Sequence, residues 1–175
     1  MLKKLWIFNI CIFFILWSGV AFCENTNKTM FYVPITTKCV KQAANQHKVP
    51  FWSLITIMSV EGGSIGMMKQ NTNRTYDIGP MQINTLWLEE LKRYGISKQD
   101  LRFNGCLNVN VAAWILNKKL KNKNFWVGIG GYHSFTKRHN IRYRNKIFET
   151  ATKIKDVNKI ISRANNIKRG LGYEQ

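Results

Sequence analysis

The chain has 175 residues and carries 27 Lys and Arg against nine Asp and Glu, a net charge of +18. That length holds one domain with extensions. Four cysteines and three histidines, with two of the cysteines in the leader described next, leave too little to build a metal site. The charge speaks of partners rather than fold: anionic wall polymers, anionic lipid or nucleic acid.

Residues 1–23 read as a secretory signal peptide: Lys3 and Lys4, an apolar stretch from Leu5 to about Phe22, then Ala21 and Cys23 at the small-residue positions before Glu24. The alternative is an uncleaved anchor, which would be the only membrane contact, since no later segment is long and apolar enough to cross a bilayer. About 150 residues remain after removal, enough to bury a core. Of the cysteines, Cys39 and Cys106 survive that cut. Two thiols in an exported chain are most simply one disulfide, which over so long a loop contributes about 4 kcal/mol on the chain-entropy model.

Residues 24–35 read as a polar lead-in, 36–160 as the folded domain and 161–175 as a loose basic tail. Thr36 or Thr37 caps a helix running to about Lys48, and Pro50 suits the first turn of the next, about 50–61. That second helix sets Leu54, Met58 and Glu61 on one face before Gly62 and Gly63 end it. Residues 62–80 form a long loop with room for a small hairpin, a length that is usually functional. A helix from Thr85 to Tyr94 stops at Gly95, and 97-SKQD-100 resembles a capping box. Residues 106–121 predict a helix with Val109, Ala112, Ala113 and Leu116 inward. Residues 125–134 are apolar and glycine-containing, and Asn140 is placed to cap a last helix with Ile147, Ala151 and Ile154 on one face. Trp52, Trp87, Trp114 and Trp126 supply core and one sugar-stacking face. The sum is a mainly helical fold with little strand.

Glu61 poses the chemical question: a scarce carboxylate stands where the apolar stripe puts a core residue. Burial raises a carboxyl pKa, and a helix C-terminus pushes the same way. Both favour the protonated acid that glycosidic cleavage requires. The bland readings are a buried Glu paired with a cation, or an exposed helix end.

The order E-G-G, N-T-N-R-T-Y-D-I-G-P-M-Q-I-N, C-L-N-V-N-V-A-A-W-I-L and G-Y-H-S resembles the lytic transglycosylases of the lysozyme-like SLT family, over about residues 36–150. It is most similar to the small single-domain branch that accompanies conjugation, type IV secretion, type IV pilus or invasion machinery. The resemblance implies an α+β lysozyme-like fold with a small lobe beside a glycan cleft. It implies Glu61 as acid/base, with Tyr76, Gly79, Met81, Gln82, Asn84 and Tyr132 binding substrate, Tyr132 also positioning the carboxyl. It implies peptidoglycan strands as partner, no cofactor, no specific nucleic acid, a periplasmic location and contact with secretion or conjugation machinery. Asp77 orders the loop, or activates water and makes the chain a hydrolase. Gly62 stands where many members have Ser, a sugar contact Ser64 can replace; His133 and Ser134 depart from the usual A-Y-N-A-G. A hydrolytic muramidase, a wall-binding adaptor without activity and a nucleic-acid binder are the competing readings; the export signal and cysteine pair argue against the last.

Overall fold

The computed structural model describes residues 31–167. The expected leader, most of the lead-in and the end of the basic tail lie outside them. The described part runs α1 (Thr37–Gln46), α2 (Phe51–Glu61), β1 (Met68–Gln70), β2 (Tyr76–Ile78), β3 (Ile83–Asn84), a 3-10 turn (Thr85–Trp87), α3 (Leu88–Lys92), α4 (Lys98–Phe103), α5 (Gly105–Leu120), α6 (Phe125–Gly131), α7 (Lys137–Lys153) and α8 (Val157–Ala164). This is the mainly helical α+β architecture expected, with a three-stranded antiparallel sheet where the sequence allowed a hairpin.

Helix α2 is the hub, and α1, α5, α7 and α8 pack around it. Leu54, Ile57 and Met58 are fully buried, and a helix apolar on nearly every side belongs in that central place. Its two inward hydroxyls are satisfied locally: Ser53 Oγ donates to the Pro50 carbonyl at 2.6 Å and Thr56 Oγ1 to that of Trp52 at 2.8 Å. Pro50 itself stands one place outside the helix, at its N-cap. Thr36 caps α1, its hydroxyl accepting from the Cys39 amide at 3.1 Å. Ser97 and Asp100 form a reciprocal capping box on α4. Val109, Ala112, Ala113 and Leu116 of α5 are all fully buried. A disulfide joins Cys39 on α1 to Cys106 in the first turn of α5, with Cα atoms 5.8 Å apart and the two residues 67 positions apart in sequence.

The structure assigns one segment that the sequence left open and corrects four expectations. Residues 125–131 form α6, whose helical signal is masked by glycines that packing demands: a Cβ on Gly128 would lie 2.9 Å from the Leu120 Cα. Asn140 does not cap α7, which begins at Lys137 after Thr136. It is buried inside that helix, and its Nδ2 donates to the Val127 and Ser134 carbonyls, both at 3.0 Å, closing the α6–α7 turn. The folded part does not stop at 160: α8 buries Ile161 and Ala164, because its apolar face covers α2. Nor does it start at 36. Val33 pairs with the end of α4 and the start of α5, and Asn165 clamps the Ile35 backbone at 2.7 and 2.9 Å. The tryptophans rim the core instead of filling it; Trp52 is 41% exposed.

Candidate active site

Glu61 is the last residue of α2, and its carboxyl reaches one wall of a cleft of about 380 Å³. Asp77, Gln82, Asn84, Trp87, Lys119 and Tyr132 also line that cleft. Burial pushes the Glu61 pKa up to about 7, and the field of Asp77 adds to it. A hydrogen bond from Tyr143 and the charges of Lys146 and Lys69 pull the other way without cancelling burial. The Tyr143 hydroxyl donates to Glu61 Oε1 at 2.5 Å. Among the described residues no side chain holds Oε2, which leaves that oxygen to carry a mobile proton.

The two glycines after Glu61 do different work. Gly62 takes the left-handed conformation that ends α2, φ +67°. Gly63 lets the sheet lobe approach: a Cβ there would lie 2.2 Å from the Gly79 carbonyl oxygen. Gly79 is itself left-handed and so tightly enclosed that a Cβ would lie 2.3 Å from Asn108 Nδ2. The Gly79 carbonyl accepts from both the amide and the Nε2 of Gln82, at 3.1 and 2.8 Å. Gln82 thereby holds a left-handed backbone at φ +50°, a conformation that costs a non-glycine residue about 1–3 kcal/mol unless its surroundings enforce it. Asn108 of α5 supplies much of that enforcement. Fully buried, it accepts from the Met81 amide at 2.9 Å and donates to the Ile78 and Leu101 carbonyls at 3.0 and 2.9 Å.

Tyr132 lies in the cleft but does not touch the carboxyl: its hydroxyl donates to the Met81 carbonyl at 3.0 Å. Burial, then the nearby Glu61 and Asp77, hold its pKa well above the usual tyrosine value, so it stays a neutral donor. The hydroxyl that reaches the carboxyl is that of Tyr143. Its ring stacks on His133 at 5.1 Å, and burial first, then Glu61, keep its proton on as well. His133 is a neighbour of the cleft whose pKa burial lowers.

Of the residues singled out from sequence, Glu61, Gln82, Asn84 and Tyr132 meet in the cleft and Tyr76, Gly79 and Met81 do not line it. Met81 is fully buried, so its side chain serves the core. Tyr76 lies under Lys98, whose ammonium is 5.2 Å from the ring centroid. Asn84 caps the 3-10 turn through the Leu86 amide and donates to Asp77 Oδ1 at 2.8 Å, so Asp77 orders the lobe while lining the cleft. Ser64 is buried away from the cleft and cannot stand in for a sugar-binding serine. Sequence reasoning missed Asn108 and Tyr143. A polar residue on the inward side of an apolar helix was the available signal for the first; nothing in the basic run 137-KRHNIRYRNK-146 distinguished the second.

Residues 38–155 match the profile described as the transglycosylase SLT domain. The chain is 36% identical over 104 residues to invasion protein IagB of Salmonella typhi, covering 57% of this chain and 63% of that protein. It is 36% identical over 102 residues to IagB of Salmonella typhimurium strain SL1344 (55% and 62%) and 30% identical over 96 residues to a peptidoglycan-binding-like protein of Escherichia coli O157:H7 (51% and 58%). It thus spans less than two thirds of the length of the curated relatives it matches.

Proposed function

Because the chain belongs to the transglycosylase SLT family, we propose that it is a lytic transglycosylase that cuts peptidoglycan between N-acetylmuramic acid and N-acetylglucosamine and leaves a 1,6-anhydro end. The observation that carries this reading is the Glu61 carboxyl: half-buried, its pKa raised to about 7, one oxygen taking the Tyr143 hydroxyl, on a residue that lines the cleft. Protonated Glu61 donates from Oε2 to the leaving glycosidic oxygen. As carboxylate it then accepts the proton of the sugar's own 6-hydroxyl, which attacks the anomeric carbon. An intramolecular nucleophile needs no second carboxylate and gains a high effective molarity. The Tyr143 hydroxyl offsets the charge that Glu61 acquires midway. Gln82 offers its amide to the sugar, Asn84 its Oδ1 since both of its amide protons are held by Thr75 and Asp77, and Trp87 an aromatic face.

The name of the Salmonella relatives and the basic character of this chain support a role in opening the wall locally for a secretion or invasion apparatus. That role requires export to the periplasm, for which the amino-terminal sequence is suited. Asp77, the second carboxylate lining the cleft, makes hydrolysis the second reading.

Digestion of purified peptidoglycan followed by mass spectrometry of the released muropeptides tests both. Anhydro ends are expected, and Glu61→Gln should remove them while the fold, read by circular dichroism, is retained. Reducing ends would make water the nucleophile and Asp77 its base. Cleavage that survives in Glu61→Gln would refute the assignment of the acid.

A further inference from the structure

The cleft is not the only cavity that Glu61 touches. On its other side lies a second hollow of about 320 Å³, lined by Val60, Glu61, His133, His139, Arg142, Tyr143 and Lys146. His139, Arg142, Tyr143 and Lys146 stand at i, i+3, i+4 and i+7 on α7, so they share one face of that helix. Tyr143 of this row reaches Glu61, which sets this face of α7 at the carboxyl's flank.

A basic helix face is ordinarily just a solvated one. Three observations count against that here. The face is concave, and Glu61 is the only acidic residue in its lining. Among the described residues the one ion pair is Lys118–Glu90, so neither Arg142 nor Lys146 has a carboxylate partner. Lys146, though exposed, reaches back over the end of α2, its Nζ 3.4 Å from the Val60 carbonyl. Stacking on Tyr143 keeps the His133 ring at the boundary between the two hollows, since it lines both.

We propose that the hollow of His139, Arg142 and Lys146 is an anion subsite continuous with the cleft, which holds a carboxylate carried by the muramic sugar next to the bond being cut. This rests on the transglycosylase reading and deepens it by naming a feature of the substrate. Two groups have the chemistry: the lactyl carboxylate of a sugar without its peptide, and the free carboxylates of a stem peptide. Arg142 presents a planar fork suited to a carboxylate, and Lys146 a point charge.

The test compares the native chain with the double variant His139→Gln/Arg142→Gln. Both positions are exposed, so the core is untouched, and neither residue perturbs the Glu61 carboxyl. Three soluble glycans serve as substrates: stem-bearing strands, strands stripped of stems by an amidase, and stem-bearing strands with their carboxylates amidated. The variant is expected to raise KM on the order of tenfold on at least one carboxylate-bearing substrate, the loss of a charge-assisted contact, and not on the amidated one. Loss on stem-bearing strands alone assigns the stem carboxylates, and loss on stripped strands the lactyl group. The variant Lys121→Gln/Lys123→Gln removes two formal positive charges elsewhere on the exposed surface, at least as many as the first variant does. If it matches the first variant, bulk charge explains the effect and the subsite is refuted. Equal KM for the native chain and the His139/Arg142 variant on every substrate refutes it too, while leaving the transglycosylase reading intact. Equilibrium binding in the Glu61→Gln background separates the two proposals. If the native chain does not cleave and the Glu61→Gln chain does not bind strands, both are overturned, whereas arm-specific binding by Glu61→Gln with no cleavage by the native chain supports the subsite and refutes the activity.

Discussion

The chemistry of a single carboxyl group depends on what holds each of its oxygens. In Glu61, burial favours the protonated form and the Tyr143 hydroxyl favours the ionised one; burial is the larger effect. Acid catalysis by Glu61 should therefore be lost as pH rises through about 7. Tyr143→Phe removes the opposing influence, so the alkaline limb of kcat/KM should move to higher pH. The same change should lower kcat on the order of tenfold, because the carboxylate formed midway loses its donor. A pH profile of the variant with an unmoved limb would show that Tyr143 does not tune the acid. The shift also acts on stability. The folded chain keeps a proton that the unfolded chain releases near 4.5, so this group's contribution is intact below about 4.5 and lost as pH rises through about 7. Glu61 could be read from sequence because a carboxylate interrupted an apolar stripe. Tyr143 could not, because only the packing of α7 against α2 turns it inward.

At the scale of elements, the sheet lobe and α5 form one unit joined by Asn108. Its side chain closes three buried hydrogen bonds that span β2, the Gly79–Gln82 turn and α4. Asn108→Ala would leave a buried amide and two carbonyls unpaired, at a cost of about 2–4 kcal/mol. For a domain of this size the melting temperature should fall by about 10 °C, measured by calorimetry. Cleavage should fall further than stability does, since the turn that aims Gln82 is released. A change under about 2 °C would mean that the turn is held by other contacts. The helices with apolar periodicity, α1, α2 and α5, were legible. Helix α6 was not, because its glycines serve contacts with α5 and α7 that no local pattern encodes. Helix α8 was missed for a related reason: in a basic stretch, its two buried positions acquire meaning only once α2 is there to receive them.

Across the whole molecule, the two ends of the described chain are tied to each other and the first helix to the middle. Ile35 is clamped by Asn165, and α1 is linked to α5 by Cys39–Cys106. The disulfide closes 67 positions that include α2 and the entire sheet lobe, so it restrains the unfolded chain across both walls of the cleft. Replacing both cysteines by serine should cost about 4 kcal/mol on the chain-entropy model, read from urea unfolding of the oxidised native chain and the variant. A loss below about 1 kcal/mol would mean that native contacts alone hold α1 to α5 and that the unfolded state gains little from release.

The sequence by itself determined the helical class, the cysteine pair, the carboxyl at the end of α2 and the motif order that identifies the family. These are local signals: periodicity, caps, composition and short spaced motifs. Only the tertiary structure decided which residue holds the acid, which asparagine anchors the motif turn, why Met81 serves the core and where the basic face of α7 points. Each of those depends on what a side chain meets across 27 to 86 positions of chain, and burial, not residue type, sets the charge state of what it meets.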